Sequence, residues 1–271
     1  MAQTVVTTER IGRVMEITLD RPPANAINRE VSRALYAGFR ALQDDPEASV
    51  GILRATGDKI FCAGWDLKEL SAGAYDPEGD WDHESGFGPG GFGGITEFWD
   101  LTKPVVAAVH GAAVGGGFEI VLACDVIVMA EDAYFFLPEM QRGFLADAGA
   151  VQALPRRIPY YVAKDLLLTG RRMDAEEALK WGLAARVVPR DKVLETAREI
   201  AAQISKGSPL ALQAMKAVMN KIDGMPLQDA IALTKPGKSG LPIYEEMIMS
   251  DDVMEGVTAF TQKRKPDWQG N

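Results

Sequence analysis

The amino-acid sequence predicts an α/β protein whose last part is helical. Short β-rich segments alternate with helical segments in the first half of the chain, and from about residue 155 the pattern turns helical. The chain has 271 residues, of which 47% are hydrophobic and 25% are charged. This composition is typical of a globular protein with a sizeable core.

The chain begins with a predicted hairpin and an amphipathic helix. Residues 4–9 and Val14–Leu19 are β-rich, and Gly12 lies between them. The prolines at 22 and 23 end the second strand. Asn28 is placed to cap a helix, because apolar residues with helical spacing follow it and form one face: Val31, Leu35, Phe39 and Leu42.

Three later segments have the composition of buried strands. They are the apolar runs at residues 50–54, Val105–Val109 and Val126–Ala130. Because strands and helices follow each other in turn, the sequence predicts an α/β core.

Residues 72–94 differ from the rest of the chain in composition. They are rich in glycine and contain almost no aliphatic residue, which predicts a mobile surface loop. Two interpretations are open, a flexible insertion and a lid over an active site. The aromatic residues of the loop favour a lid: Tyr75, Trp81, Phe87 and Phe92.

The C-terminal part predicts a series of helices. Asp174 and Glu177 have the spacing of a capping box, and Gly182 ends the helix that they begin. Further helices are predicted over residues 191–205, 208–222, 227–233 and 251–262. Such a tail must bury its apolar faces either on its own core or in a subunit interface.

Charge and composition argue against several classes of partner. The formal net charge is −9, whereas nucleic-acid-binding surfaces need clustered lysine and arginine. The first residues lack the features of a signal peptide, and no apolar run reaches the roughly 20 residues of a membrane span. Cys62 and Cys124 have neither a disulfide pattern nor metal-ligand spacing. We therefore expect a cytoplasmic protein that binds neither nucleic acid nor membranes.

Two glycine turns are the first chemically informative segments. In residues 103–119 an apolar strand runs into Gly111, then into three consecutive glycines and a helix. Glycine lets a ligand approach the backbone closely, and a helix N-terminus presents unpaired N–H groups, although tight helix–strand packing would use the same residues. The turn has the pattern of neither a dinucleotide site nor a P-loop. Residues 61–68 contain a second such turn at Gly64, and two turns can offer two donors to one developing oxyanion.

Two glutamates stand out among apolar neighbours. Glu119 lies in the first turn of an apolar helix, and Glu139 follows the segment FFLP. Burying a carboxylate is costly without a partner, and burial raises its pKa toward neutrality, which favours proton transfer. From spacing alone, a structural ion pair and an acid/base pair are equally good interpretations.

Several motifs resemble the crotonase superfamily, also called the enoyl-CoA hydratase/isomerase superfamily, in order and spacing. They cover essentially the whole chain: RPPANA at 21–26, FCAGWDL at 61–67, GGGFE at 115–119, FLPE at 136–139, TGR at 169–171 and AEEALKWG at 175–182. The resemblance implies a ββα-spiral core, which we assign to residues 1–205. It also implies a C-terminal helical trimerisation domain, which we assign to residues 206–271. We therefore expect a homo-oligomer, either a trimer or a dimer of trimers.

The resemblance also implies roles for individual residues. The backbone N–H groups of Trp65 and Gly116 would form an oxyanion hole, and Glu119 and Glu139 would handle water in the reversible hydration of a 2-enoyl-CoA thioester. In this assignment Glu119 activates the water and Glu139 transfers the proton at C2. Neither a metal nor a cofactor is expected, because coenzyme A is part of the substrate. Coenzyme A and substrate would contact Ala24, Ala26, Ala63, Asp66, Leu67, Gly115 and Pro138.

Within this family, the chain most resembles members that act on a betaine thioester. The supporting segments are AGWDLK at 63–68, FGPGGF at 87–92 and the ending at 255–268. A trimethylammonium group cannot donate hydrogen bonds and is best held by aromatic faces and a nearby anion. Ordinary lid packing is the alternative use of the aromatic residues near the acyl site in the sequence: Trp65, Trp81, Phe87, Phe92, Phe98 and Trp99.

Asp147 departs from the usual hydratase pattern, and we expect it to be an auxiliary acid that tunes the glutamate pair or anchors the cation of the substrate. The segment ADAGA at 146–150 stands where many hydratases have proline and a glycine pair. In having an acid at this position, the chain resembles isomerase members of the superfamily. Two alternatives therefore remain beside the hydratase. One is a double-bond isomerase that uses Glu139 and Asp147, and the other is a non-catalytic protein that binds acyl-CoA or RNA. The presence of both glutamates and the net charge of −9 weigh against the second.

Overall fold

The computed structural model describes residues 4–74, 76 and 78–270. Within these residues, a six-stranded sheet and a four-stranded sheet form the core. The strands are β1 (Val6–Ile11), β2 (Val14–Leu19), β3 (Val50–Ala55), β4 (Ile60–Cys62), β5 (Val105–Val109), β6 (Ala112–Val114), β7 (Val126–Ala130), β8 (Tyr134–Phe136), β9 (Arg172–Asp174) and β10 (Arg186–Val188).

The chain coils through the two sheets in repeated turns. The larger sheet has the order β1-β2-β3-β5-β7-β10 and the smaller one has the order β4-β6-β8-β9. Strands β3, β5 and β7 pair in parallel in the larger sheet, and each leads into a strand of the smaller sheet. The latter strands, β4, β6 and β8, are also parallel to each other. This arrangement agrees with the spiral α/β core that the family resemblance implies.

Eleven α-helices surround and extend these sheets in the described part of the chain. They are α1 (Arg29–Asp44), α2 (Leu67–Glu69), α3 (Gly116–Leu122), α4 (Ala150–Arg157), α5 (Tyr160–Thr169), α6 (Ala175–Lys180), α7 (Val193–Ile204), α8 (Pro209–Ile222), α9 (Leu227–Leu233), α10 (Pro242–Met249) and α11 (Asp251–Thr261).

The predicted helix caps are present. The side chain of Asn28 accepts a hydrogen bond from the N–H of Val31 at 2.9 Å, and that of Asp174 accepts one from the N–H of Glu177 at 2.8 Å. Each bond satisfies a backbone donor that has no partner within the helix. The two helices therefore begin where the sequence predicts.

The core lies between the larger sheet and the helices on its faces. Strand β5 is buried along its whole length, and α7 packs with its small residues Ala197 and Ala201 buried. Glu16 of β2 is 2% exposed and binds Arg198 of α7 through two bonds, of 2.5 Å and 3.0 Å. This pair ties the helix to the sheet.

Two local predictions differ from the structure. The first strand covers Val6–Ile11 rather than residues 4–9, because Gly12, with φ of 60°, allows a turn so tight that Ile11 pairs with Val14. The loop at 72–94 is not a loose insertion over its described residues, because Phe87 is 1% exposed and Phe92 is 2% exposed. Tyr75 lies outside the described residues.

The C-terminal helices contact the core mainly through α8. Gln213 accepts a hydrogen bond from the hydroxyl of Thr102 at 2.7 Å, and Lys216 binds Asp125 at 2.8 Å. The predicted helical C-terminal region is confirmed, whereas its boundary at residue 206 and its role in trimerisation stay predictions. In the described part of the chain, no helix is long and apolar enough to cross a membrane.

Candidate active site

Helix α3 carries Glu119 into the protein interior. Gly115, just before the helix, has φ of 55° and ψ of −126°, which a residue with a Cβ rarely adopts. Every residue of α3 is buried, and Glu119 is 4% exposed. Its Oε1 accepts a hydrogen bond from the N–H of Ala150 at 3.0 Å. The carboxyl group is therefore held between α3 and the start of α4.

The second glycine turn packs against the N-terminus of α3. Gly64 has φ of 81°, and a Cβ placed on it would lie 2.5 Å from the carbonyl oxygen of Val114 and 2.9 Å from the nitrogen of Gly116. The turn that carries Trp65 is thus adjacent to the first N–H groups of α3, which have no acceptor within the helix. The two predicted donors come from neighbouring turns, and their binding of an oxyanion stays a prediction.

Glu139 reaches the same region from the end of β8. It begins a short 3-10 helix, Glu139–Arg142, directly after Pro138. A Cβ on Gly115 would collide with its Oε1, so the carboxyl group lies against the first glycine turn. Its Oε2 is buried and has no hydrogen-bond partner among the described residues. Such an oxygen is uncommon in folded proteins, and it can accept a hydrogen bond from a ligand or from water.

A cavity of about 160 Å³ brings these groups together. All four residues of the predicted catalytic set line it, together with the auxiliary acid: Trp65, Gly116, Glu119, Glu139 and Asp147. They come from four separate segments of the chain, which the spiral brings to one place.

Burial raises the proton affinity of the three acids in this cavity. Burial, with the charges of Glu139 and Asp147, raises the pKa of Glu119 to about 8 despite the hydrogen bond from Ala150. Burial also raises the pKa of Asp147 and the pKa of Glu139. At Glu139 the positive charge of Arg142 partly offsets this increase. Glu119 therefore keeps its proton at neutral pH, and the three acids can both donate and accept protons.

The residues predicted to contact coenzyme A fall into two groups. The carbonyl oxygen of Ala24 accepts a hydrogen bond from the N–H of Ala63 at 3.0 Å. Arg21 binds the carbonyl oxygen of Ala26 at 2.8 Å and the carboxylate of Asp66 at 2.7 Å. These three predicted residues, Ala24, Ala26 and Asp66, lie beside the cavity and join its neighbouring segments. The remaining four line the cavity itself: Ala63, Leu67, Gly115 and Pro138.

Only some of the predicted aromatic residues line the cavity. Trp65, Trp81 and Phe92 line it, and Phe87 packs behind them. Phe98 instead packs on Tyr36 with 5.0 Å between ring centroids, and Trp99 is 82% exposed. Phe98 and Trp99 are close to the loop in the sequence but do not reach this cavity.

Five cavity residues were not predicted as site residues: Val114, Arg142, Phe144, Leu145 and Ala148. Phe144 lines the cavity and contacts Trp65 with 6.0 Å between ring centroids, and Arg142 lies one helical turn after Glu139. Both are in residues 140–145, between the FLPE and ADAGA segments, and these residues have neither a periodic pattern nor a known motif. Their closeness to Glu139 in the sequence was the one signal that could have indicated them.

Comparison with known proteins now decides the family. The family described as enoyl-CoA hydratase/isomerase matches residues 9–271. The chain belongs to the enoyl-CoA hydratase/isomerase family. A carnitinyl-CoA dehydratase of Proteus mirabilis is 43% identical over 270 residues, which cover 100% of both chains. One from Salmonella typhi is 46% identical over 261 residues, which cover 96% of this chain and 97% of the relative.

Solved structures agree with this assignment. An enoyl-CoA hydratase from Mycobacterium tuberculosis H37Rv superposes with a TM-score of 0.87 at 36% identity, over 99% of this chain and 100% of the other. A probable enoyl-CoA hydratase/isomerase from Mycobacterium abscessus superposes with a TM-score of 0.85 at 39% identity, over the same shares. The fold and the family resemblance are confirmed, including the likeness to carnitinyl-CoA dehydratases. The chain is therefore an enzyme of this family, of the hydro-lyase type.

Proposed function

We propose that this enzyme catalyses the reversible hydration of crotonobetainyl-CoA to carnitinyl-CoA. The observation that carries the proposal is the single cavity in which Glu119 and Glu139 face two adjacent glycine turns. The acyl group is inferred from relatives that are named carnitinyl-CoA dehydratase and that align with this chain over nearly their full length.

The glycine turns supply the proposed electrostatic stabilisation. The N–H groups of Trp65 and Gly116 bind the thioester oxygen and stabilise the negative charge that it gains as the enolate forms. One such donor is typically worth about 3–4 kcal/mol of transition-state stabilisation. Both donors belong to the backbone of two turns that pack against each other, so little reorganisation is needed during the reaction.

The two glutamates move the protons. Hydroxide from water bonds to C3, the water proton passes to the ionised carboxyl group, and the protonated carboxyl group delivers a proton to C2. The pair starts and ends with one proton. Burial favours that proton on Glu119 in the free enzyme, whereas the assignment of Glu119 to water requires it on Glu139. A water that bridges both groups lets the proton exchange between them.

Three further parts of the proposal concern coenzyme A, the oligomeric state and the location. Coenzyme A extends from the cavity along Ala24, Ala26 and Asp66, and the reaction needs neither a metal nor a redox cofactor. We also propose a homo-oligomer, which the exposed apolar side chains of the C-terminal helices support, and a cytoplasmic location.

A second candidate is a double-bond isomerase. The observation that favours it is Asp147, which lines the same cavity as Glu139 and whose pKa is raised by partial burial. Two acids of this kind could remove a proton at one carbon and return it at another.

Incubation in ¹⁸O-labelled water separates the two reactions. Crotonobetainyl-CoA and crotonyl-CoA are each supplied, and the products are analysed by mass spectrometry. Hydration places one ¹⁸O atom in the product, and we expect faster turnover of crotonobetainyl-CoA. A shifted double bond without ¹⁸O would establish the isomerase, and preference for crotonyl-CoA would overturn the proposed acyl group.

A further inference from the structure

Aromatic rings surround one end of the cavity. Phe87 is 1% exposed and is the centre of the cluster. Its ring centroid lies 5.8 Å from that of Trp65, 5.4 Å from that of Trp81 and 5.1 Å from that of Phe92. These three partners line the cavity, as does Phe144. Phe87 therefore holds rings from different segments around one space.

Trp81 comes from the glycine-rich loop, and its position is fixed by α1. The neighbouring residue, Asp80, has a buried carboxylate that binds Arg29 at 2.7 Å. Its carbonyl oxygen also accepts a hydrogen bond from the N–H of Phe87 at 2.8 Å. Arg33 binds the carbonyl oxygen of Gly86 at 3.0 Å. Because these contacts lie within the protein, they hold the segment that carries Trp81, which lowers the entropic cost of ordering it on binding.

The acids of the cavity favour a positive charge near these rings. Glu119 is protonated at neutral pH, so the carboxyl groups of Glu139 and Asp147 are the ones that can attract a cation. Among the described residues that line the cavity, they stand against one cationic side chain, that of Arg142. Arg142 is turned toward the backbone, since its Nη1 donates to the carbonyl oxygen of Pro138 at 3.2 Å. A quaternary ammonium group has no N–H to donate, so aromatic faces and nearby carboxylates are the groups that bind it well.

We propose that Trp81, with Trp65 and Phe144, receives the quaternary ammonium end of the acyl group and sets the preference for a cationic acyl group over a neutral one. This inference rests on the proposed function and assigns its substrate specificity to named rings. A neutral group of the same shape gains only packing against these rings, whereas a cation also gains electrostatic attraction to their faces. The ratio of the two activities therefore measures the contribution of the rings.

The test compares two thioesters of the same shape. One is crotonobetainyl-CoA, and the other is 5,5-dimethylhex-2-enoyl-CoA, in which carbon replaces the charged nitrogen. We expect Trp81→Leu to lower the ratio of kcat/KM for the cation to that for the neutral thioester by about tenfold. Trp81→Phe retains most of the ratio because it keeps an aromatic face. Tyr161→Leu is the control, since Tyr161 is an aromatic residue that is 81% exposed and does not line the cavity.

A second variant makes the test independent of the loop. Phe144 lies in a different segment, so Phe144→Leu lowers the same ratio even if Trp81→Leu disorders the loop. An unchanged ratio in both variants would overturn the inference and leave the hydration itself standing. Wild-type enzyme that hydrates both thioesters equally well would also overturn it. If neither thioester is hydrated, the proposed function fails and the inference with it.

Discussion

Burial of Glu119 favours proton transfer, but it also makes the free energy of unfolding decrease as the pH rises above 4.5. The ordinary pKa of this carboxyl group is 4.5, and burial raises it to about 8 in the folded chain. Below pH 4.5 the group is protonated in both states, so it has no effect. Between the two pKa values the unfolded chain releases the proton and the folded chain keeps it. Stability therefore falls by about 1.4 kcal/mol for each pH unit in this window.

Glu119→Gln should remove this pH dependence. The amide side chain of the variant cannot ionise, and its oxygen can still accept the hydrogen bond from Ala150. The variant should therefore match the wild type near pH 4.5 and exceed it by a few kcal/mol at pH 9. Urea unfolding at pH 5, 7 and 9 measures the difference. Glu131→Gln changes an exposed glutamate and serves as the control. A difference for Glu119→Gln that stays constant with pH would contradict the raised pKa.

The same substitution should remove activity. Glu119→Gln and Glu139→Gln each remove one proton-transfer group, and general acid–base catalysis typically contributes about 10²–10⁴-fold to the rate. We expect both variants to fold and to lose turnover by this order. Steady-state hydration of crotonobetainyl-CoA measures the loss, again with Glu131→Gln as control. Full activity in both variants would remove the glutamates from the mechanism.

At the scale of elements, the sequence predicts the helices and strands whose own residues show a cap or a periodic pattern. Asn28 and Asp174 cap their helices as expected, because a cap is a local hydrogen bond between neighbouring residues. The smaller sheet was not predicted. Its strands β4, β6, β8 and β9 are three residues long, too short to show a periodic pattern, and their pairing depends on the whole spiral.

The site residues likewise divide into those that a local sequence pattern indicates and those that only the folded chain brings to the cavity. Glu119 and Gly116 belong to a glycine turn that the sequence singles out, and the family resemblance then implies their roles. Phe144 was missed because its segment between β8 and α4 becomes part of the site only when the chain folds. Phe98 was placed near the acyl group because of its position in the sequence, yet it packs on Tyr36. Distance along the chain is a poor guide to position near Phe98, because glycines with positive φ turn the backbone just before it, at Gly88, Gly91 and Gly93.

The contact between the two glycine turns should be sensitive to a single methyl group. Gly64→Ala places a Cβ 2.5 Å from the carbonyl oxygen of Val114, so the turns must move apart and the two N–H donors lose their common target. Loss of one oxyanion donor typically lowers kcat by about 10²–10³-fold, and we expect a decrease of this size. Turnover and thermal unfolding are measured together.

Gly182→Ala is the matched control for this variant. Gly182 has φ of 75°, close to the 81° of Gly64, but a Cβ on it would meet no atom within 4 Å. Both substitutions carry the cost of a left-handed backbone, about 1–2 kcal/mol. Only Gly64→Ala should also reduce kcat. Equal kcat values in the two variants would show that backbone strain, not the contact between turns, explains the effect.

At the scale of the whole molecule, the unpartnered apolar surface is concentrated in the C-terminal helices. Phe260 is 85% exposed, Met249 is 84% exposed and Leu227 is 75% exposed. They lie on three different helices, α11, α10 and α9, whereas α8 makes the polar contacts with the core. Exposed apolar residues in such number commonly mark a surface that contacts another chain. This distribution favours a subunit interface over the alternative, in which the tail covers its own core.

Phe260→Asp should therefore dissociate the proposed oligomer. A carboxylate at this position would be buried without a partner in the interface, and such a charge is strongly unfavourable. We expect sedimentation at the mass of a trimer or a dimer of trimers for the wild type, and at the mass of a single chain for the variant. Ile11→Asp is the control, because Ile11 is also an exposed apolar residue, at 51%, but ends the edge strand β1 of the core. Wild-type enzyme that sediments as a single chain would overturn the oligomer. Dissociation by Ile11→Asp and not by Phe260→Asp would instead place the interface on the core.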